Sequence, residues 1–225
     1  MELAYLGHSA FKLSLDGHEL LIDPFLSGNP RSSAAPEDCS PSHILLSHAH
    51  GDHVGDTEAI ARASGAMVVS SAEIAGYYAA KGLRGHGMNI GGCFAFPFGR
   101  VRFTPAWHSS SFPDGTYGGM PMGIVLEVAG LRLYHAGDTA LFADMSLIGE
   151  GGLDLALLPI GDNFTMGPED ALGAVRLLKP KRVIPIHYGT FPLIEQDPQV
   201  FKRLVEAQSD SECVILEPGA VLPLR

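Results

Sequence analysis

The sequence predicts an α/β protein in which two β-rich halves pack sheet against sheet, with helices on the outer faces. Hairpins open each half, strand–helix units follow them, and hydrophobic residues make up 46% of the 225 residues. Such an order is typical of a layered fold in which sheets are covered by helices. We therefore expect one domain over residues 1–225, built of two similar halves of about 1–115 and 116–225.

The first half begins with strands and continues with strand–helix units. An apolar strand over 3–6 precedes an alternating strand over 11–15, and Asp16-Gly17 is a two-residue hairpin signal leading into a strand over 19–22. The later elements are strands at 43–47, 67–69, 94–96 and 101–106, with helices at 57–63 and 70–82. Asp56 can cap the first helix, and Ser70-x-x-Glu73 forms a capping box at the second.

The second half repeats this rhythm. Strands at 123–128 and 131–134 are joined by a tight Ala129-Gly130 turn, and a continuous apolar strand follows at 153–158. The remaining elements are helices at 168–178 and 198–207 and strands at 182–186 and 213–216. Pro168 occupies the first-turn position that proline favours in a helix.

Composition excludes several classes of protein. With 15 basic against 25 acidic residues, the net charge of −10 repels phosphate backbones, so a general nucleic-acid binder is not expected. Cys39, Cys93 and Cys213 lie far apart, which argues against a disulfide framework or a cysteine zinc site. No apolar run approaches the ~18 residues of a membrane span and the start has no basic signal region, so we expect a cytoplasmic protein without a membrane partner.

The segment SHAHGDH at residues 47–53 follows an apolar strand and precedes a helix. In an extended stretch, His48 and His50 project to the same side, and Gly51 then lets the chain bend towards Asp52 and His53. Divalent metals accept imidazole nitrogen and carboxylate oxygen, so one loop offers enough ligands to begin two adjacent sites. An exposed polar loop is a poor alternative, because closely packed histidines repel one another when protonated.

Three further candidates follow other predicted strands. His108 comes after the strand at 101–106, Asp138 after the hairpin strand, and His187 after the strand at 182–186. Taken singly, each has a structural explanation, such as a histidine bonded within the fold or an aspartate capping a turn. Because residues at the same edge of a sheet converge, we expect all three to complete the metal site.

These motifs resemble the metallo-β-lactamase superfamily. The segments GHSAF at 7–11, LIDP at 21–24, YHAGDT at 134–139 and FTMGP at 164–168 are similar to its small, single-domain metal-dependent hydrolase branch. That branch is similar to ascorbate-6-phosphate lactonases and, more distantly, to phospholipase-D-type members. The resemblance implies a four-layer αβ/βα sandwich, two mixed sheets with helices outside, and a two-metal site at the sheet edge.

The resemblance also implies which residue holds which metal. The first metal is assigned to His48, His50 and His108, the second to Asp52, His53 and His187, and Asp138 bridges the two. Zinc is expected first, while manganese, iron, nickel and cobalt also suit these donors. A hydroxide shared by two such ions would be available near pH ~7 and attack an ester-type bond.

Other residues are secondary candidates. We expect Asp52 to shuttle a proton as well, Asp138 to act in catalysis as the bridge, and His8 to reach the metals or the substrate. Asp23 is expected to fix a ligand histidine, because metal sites need such supporting hydrogen bonds. His135 fits a supporting role better than a ligand. Asn163 and Tyr188 are candidate substrate contacts, and His18, His43 and His86 are expected to face solvent.

The expected activity is metal-dependent hydrolysis of a small phosphodiester or a lactone, which can itself be phosphorylated. Thioester or amide hydrolysis at the same site, and a non-catalytic metal-binding module, are the alternatives. A flavodiiron-type oxidoreductase needs a flavin domain for which 225 residues leave no room. The expected partner is a small-molecule substrate, and the sequence leaves a homo-oligomer open.

Overall fold

The computed structural model of the protein describes residues 1–224. Its fourteen strands are β1 (Glu2–Gly7), β2 (Ala10–Leu15), β3 (His18–Ile22), β4 (His43–Leu45), β5 (Met67–Ser71), β6 (Arg84–Met88), β7 (Cys93–Phe96), β8 (Gly99–Pro105), β9 (Met122–Val128), β10 (Leu131–His135), β11 (Leu153–Pro159), β12 (Pro180–Ile186), β13 (Glu212–Cys213) and β14 (Val221–Pro223). They form two seven-stranded sheets, in the orders β14-β1-β2-β3-β4-β5-β6 and β13-β12-β11-β10-β9-β8-β7.

Each sheet combines hairpins with parallel strands. In the first sheet β1, β2 and β3 are antiparallel and β3 to β6 are parallel; in the second, β7 to β10 are antiparallel and β10 to β13 are parallel. The predicted division near residue 115 does not coincide with the change of sheet, which falls between Met88 and Cys93, because the β7–β8 hairpin already pairs with β9. Strand β14 then returns to the first sheet beside β1.

Helices cover the outer face of each sheet. They are α1 (Gly51–Val54), α2 (Thr57–Ser64), α3 (Ala72–Ala80), α4 (Met145–Gly149), α5 (Pro168–Leu178) and α6 (Pro198–Gln208), with short 3-10 turns at Pro36–Asp38 and Pro192–Ile194. Among the described residues, no helix has the length and apolar character to cross a membrane.

Three hydrophobic clusters define the layers. The central cluster joins the two sheets, as shown by Leu45 and Val69 on one side and Phe103 on the other. Their neighbours Ile44 and Val68 point the opposite way, towards α2 and α3, as the two-residue repeat of a strand requires. A third cluster lies between the second sheet and α4 to α6. These layers confirm the expected four-layer sandwich.

The predicted start of α2 at Thr57 is confirmed, but both predicted capping interactions are wrong. Asp56 does not cap α2, because its Oδ2 accepts hydrogen bonds from the backbone N–H groups of Leu26 (2.9 Å) and Ser27 (2.8 Å). The cap of α3 is Ser71, whose Oγ accepts from the Ile74 N–H at 3.1 Å. Strand β5 extends through Ser71 because it pairs with β6, an edge strand that the sequence pattern does not predict.

The predicted solvent exposure of His43 is also wrong, since only 9% of the residue is exposed. Its ring packs edge-on against Phe96 at 5.4 Å and Phe98 at 4.8 Å, two rings brought by the opposite sheet. Burial lowers the pKa of His43 to about 4, and the positive charge of Arg84 and the nearby His18 and His86 act in the same direction.

The lowered pKa of His43 predicts that the folded protein loses stability in mild acid. Because its pKa is about 4 when folded and ~6.5 when unfolded, the unfolded chain binds more protons as the pH falls below ~6.5. We expect His43 to account for about 2 kcal/mol of lost unfolding free energy at pH ~5. Urea unfolding of wild type and His43→Gln at neutral pH and at pH ~5 measures this, and equal pH dependence in both proteins would contradict it.

Candidate metal centre

The seven predicted metal ligands lie together where strands of both sheets end. Residues 48–53 follow β4 and include α1, which turns Asp52 and His53 back towards the pair His48 and His50. His108 follows β8, Asp138 follows β10 and His187 follows β12. The structure thus brings together the residues that the strand-end pattern singled out.

Within residues 1–224, three groups of side chains have donor atoms within 4.8 Å of one another and could hold a metal ion. They are His48–His50–His108, His8–Asp52–His53–His187 and His48–His53–Asp138. The first group contains the three histidines that the resemblance assigns to one metal, and the second contains the three residues assigned to the other, together with His8. The third places Asp138 between them.

Asp138 is the centre of the cluster. Its Oδ2 lies 3.0 Å from His187 Nε2 and 3.6 Å from His108 Nε2, and its Oδ1 lies 3.3 Å from His53 Nε2. Among residues 1–224, the buried atoms His187 Nε2, His53 Nε2 and Asp138 Oδ1 nevertheless have no hydrogen-bond partner. Close, buried donor atoms that do not bond to one another fit a shared cation, since buried polar groups are otherwise hydrogen-bonded.

Asp23 orients two of the histidines, as predicted for a supporting residue. The His53 Nδ1–H donates to Asp23 Oδ2 at 2.8 Å, which leaves the lone pair of Nε2 facing the cluster. Ser47 Oγ also donates to Asp23 Oδ2, at 2.6 Å, and can then accept from His48 Nδ1–H at 3.0 Å. The lone pair of His48 Nε2 therefore faces the cluster, where it can accept a hydrogen bond from His50 Nδ1–H at 3.0 Å or bind a metal ion instead.

The variant Asp23→Asn should weaken metal binding about 10- to 100-fold, the usual cost of removing a hydrogen bond that supports a ligand. An amide NH₂ group facing His53 Nδ1 would favour the tautomer with hydrogen on Nε2, which faces Asp138 Oδ1. Competition titration with a chromophoric chelator gives the dissociation constant.

Asp154→Asn is the matched control for this variant. In wild type, the Asp154 carboxylate accepts hydrogen bonds from Arg132 N–H and Lys181 Nζ, both at 2.8 Å, and both donors lie outside the metal cluster. We expect wild-type metal affinity in the control. Wild-type affinity in Asp23→Asn as well would show that Asp23 does not hold a ligand in place.

The Asp138 carboxylate and the neighbouring His53 and His187 shift one another's pKa values. Burial opposes the charged form of His53 and His187, but Asp138 outweighs it, raising the pKa of His187 to about 9 and that of His53 well above its usual value. Burial likewise acts to raise the pKa of Asp138, but His187 and His53 hold it well below its usual range. Positive charge is thus favoured beside Asp138, and a metal ion would replace these protons.

His135 has the supporting position expected of it. Its Nε2–H donates to the Ser9 carbonyl at 2.9 Å, and its Nδ1 accepts from the Gly137 N–H at 3.1 Å. Both ring nitrogens are therefore occupied, and His135 fixes the turn that leads into Asp138.

Comparisons with known proteins agree with this geometry. The family described as "Beta-lactamase superfamily domain" matches residues 18–188. A UPF0173 metal-dependent hydrolase of Thermus thermophilus is 55% identical over 224 residues, covering 100% of this chain and 99% of the relative. The chain belongs to the metallo-β-lactamase superfamily. Within it, the chain is a metal-dependent hydrolase, as the sequence motifs indicated.

Solved structures support the same fold for this metallo-β-lactamase superfamily member. Igni18, a metallo hydrolase from Ignicoccus hospitalis, has a TM-score of 0.90 and 41% identity, covering 100% of this chain and 99% of that chain. CmlA, a diiron β-hydroxylase from Streptomyces venezuelae, has a TM-score of 0.79 but 16% identity, covering 99% of this chain and 54% of that chain. At that identity the likeness to CmlA concerns the fold alone.

A cavity of about 390 Å³ opens over the metal centre of this hydrolase. Its lining residues are His50, Asp52, His108, Ser109, Asp138, Phe164, His187 and Phe191. Asn163 and Tyr188, the candidate substrate contacts, are not among them; Tyr188 lines a separate cavity with Arg31 and Glu217.

Sequence reasoning missed four residues around this site. Ser109 Oγ lies 3.4 Å from His50 Nε2, and Thr190 Oγ1 lies 2.9 Å from His8 Nδ1. Phe164 and Phe191 form the apolar part of the cavity. Signals existed for three of them: Ser109 and Thr190 lie one and three residues from a predicted ligand, and Phe164 begins the segment FTMGP at 164–168. No sequence signal marks Phe191.

Proposed function

We propose that this chain is a dinuclear metal hydrolase that cleaves an ester-type bond. The observation that carries the proposal is the position of Asp138, whose carboxylate lies between the His48–His50–His108 group and the group formed by Asp52, His53 and His187. A carboxylate with donors of both groups within 4.0 Å fits a bridging ligand.

Each group would hold one ion. His48, His50 and His108 would hold the first, Asp52, His53 and His187 the second, and Asp138 would contact both. When bound, two divalent ions lower the pKa of a water nucleophile and polarise the scissile carbonyl or phosphoryl oxygen. Nitrogen and oxygen donors suit zinc first, and also manganese, iron, nickel or cobalt.

Asp52 is the residue that we propose to move a proton. Its side chain is 28% exposed and lines the cavity, so it can receive a proton from attacking water and pass it to the leaving group. Its Oδ2 is held 3.2 Å from His8 Nε2, which leaves Oδ1 for the reaction.

His8 is better assigned as a positioning residue than as a catalytic one. It is fully buried and does not line the cavity. Asp52 can only accept, so His8 Nε2–H donates to it, and the Thr190 hydroxyl then donates to His8 Nδ1 in a neutral ring. The Thr190–His8–Asp52 chain fixes the orientation of Asp52.

Metal analysis combined with a substrate panel tests this function. Purified protein should contain about two divalent ions per chain and hydrolyse a phosphodiester or a lactone faster than a thioester or an amide. The protein stripped of metal should be inactive and recover with one of the candidate metals. Full activity without metal, or a stoichiometry of one at saturation, would contradict the dinuclear proposal, and metal binding without any hydrolysis would favour a non-catalytic module.

A further inference from the structure

The cavity over the metal centre has two chemically different sides. Six polar residues form the metal side, while Phe164 and Phe191 supply the apolar side. Among the described residues, no lysine or arginine lines it. We propose that the substrate is an uncharged ester or lactone with an apolar acyl or aryl group, which Phe164 and Phe191 bind. This inference rests on the proposed hydrolytic function and chooses among its substrates.

The charge around the cavity argues against an anionic substrate. A phosphorylated substrate is usually held by arginine or lysine side chains in addition to a metal. Here Asp52 and Asp138 are the charged lining residues besides histidines, and the chain carries a net charge of −10. Bound divalent ions would offset the charge of Asp52 and Asp138, but the cavity away from those ions offers no cationic side chain to attract an anion.

Phe191 is fixed by aromatic packing behind the site. Its ring centroid lies 5.6 Å from that of His8 and 6.3 Å from that of Phe25, while Phe25 and His8 are 5.8 Å apart. Phe191 also begins the 3-10 turn Pro192–Ile194, whose Ile194 is fully buried. The Phe191 half of the apolar side is therefore held in place by its aromatic neighbours.

Phe164 is presented by a strained loop. Asp162 and Asn163 have positive φ angles of 60° and 43°, and Phe164 is 52% exposed although it lines the cavity. The loop is anchored by buried Met166, whose N–H donates to the Thr139 carbonyl at 3.0 Å. This anchored turn therefore places an exposed aromatic ring at the edge of the cavity.

Thr139 also holds the backbone of a second exposed aromatic residue, Trp107. Thr139, next to Asp138, accepts a hydrogen bond from the Trp107 N–H on its Oγ1 at 2.9 Å. Trp107 is 67% exposed and precedes the cavity residue His108. Trp107 thus adds exposed apolar surface at the position next in sequence to a cavity residue.

A series of γ-lactones with successively longer alkyl chains tests the inference on metal-loaded protein. We expect kcat/KM to rise about threefold to fourfold per methylene until the apolar side is filled, the gain given by burying one methylene. Phe164→Ala should lower kcat/KM for the long-chain lactone about 10- to 100-fold, a larger loss than for the unsubstituted lactone, at unchanged metal content.

Phe94→Ala is the matched control, because Phe94 is 46% exposed on β7 and does not line the cavity. Titration calorimetry of the same lactones adds a binding readout that does not depend on turnover. A flat chain-length series in both assays, or Phe164→Ala behaving like the control, would overturn the inference. If the chain-length series is flat but bis-nitrophenyl phosphate is cleaved efficiently with metal, only the proposed substrate class is overturned. If no metal-dependent hydrolysis is found at all, the proposed function itself is overturned.

Discussion

Asp138→Asn is expected to lower kcat/KM at least about 10³-fold, equivalent to about 4 kcal/mol of transition-state stabilisation. The amide keeps the shape of the side chain but removes the negative charge that lies 3.0–4.0 Å from the Nε2 atoms of four histidines. It can also donate, which sets its NH₂ group against nitrogen lone pairs of the cluster. Steady-state kinetics on the best substrate and metal content measured by mass spectrometry provide the test.

Asp144→Asn is the control for this variant. Asp144 is exposed before α4 and makes no capping hydrogen bond, so its loss should leave activity and metal content unchanged. Circular dichroism of both variants monitors the fold. Two ions per chain and wild-type kcat/KM in Asp138→Asn would rule out a bridging role for Asp138.

Removal of the metal is expected to lower the melting temperature by about 5–10 °C. Binding at a free metal concentration of about 100 times the dissociation constant stabilises the folded state by about 2.7 kcal/mol, and for a chain of this size each kcal/mol shifts the melting temperature by about 2–4 °C. The physical reason is that buried His53 Nε2, His187 Nε2 and Asp138 Oδ1 have no hydrogen-bond partner among residues 1–224, so an ion would satisfy them.

Differential scanning calorimetry with and without chelator measures this shift. In Asp138→Asn the shift should be clearly smaller, because the group that joins the two donor sets is changed. An identical melting temperature with and without metal in wild type, at saturating metal, would mean that the folded and unfolded chains bind the metal equally well.

The histidine-rich loop could be predicted because its geometry is local. Two residues of an extended strand end place His48 and His50 on one side, and the turn of α1 supplies Asp52 and His53. The hairpins at Asp16-Gly17 and Ala129-Gly130 were predictable for the same reason, since both pairs adopt the positive φ angles that a tight hairpin turn needs.

Features that depend on contacts between distant segments could not be predicted. Strand β6 contains Gly85 and Gly87, which sequence rules treat as strand breakers. In the fold they are required, because a Cβ at these positions would lie 2.6 Å from the Ala75 carbonyl oxygen and 2.9 Å from Ala72 Cα in α3. The burial of His43 has a similar origin, since the rings that cover it come from the other sheet.

The residues that form the apolar side of the cavity could not be predicted from the sequence either. Phe164 and Phe191 are separated by 110 intervening residues or more from the histidine-rich loop at 47–53 and are not metal ligands, so their shared cavity appears only after folding. Thr190 is similar, because its hydroxyl meets His8 from the opposite end of the chain.

The two sheets contribute unequally to the seven donors, with four from residues 48–53 after β4 and three from residues 108, 138 and 187 after strands of the second sheet. Bound ions would therefore act as cross-links across the seam between the sheets. During synthesis the complete set of seven residues exists only once β12 and His187 have been made. Metal insertion is thus expected late in folding, at the step where the two sheets close on each other.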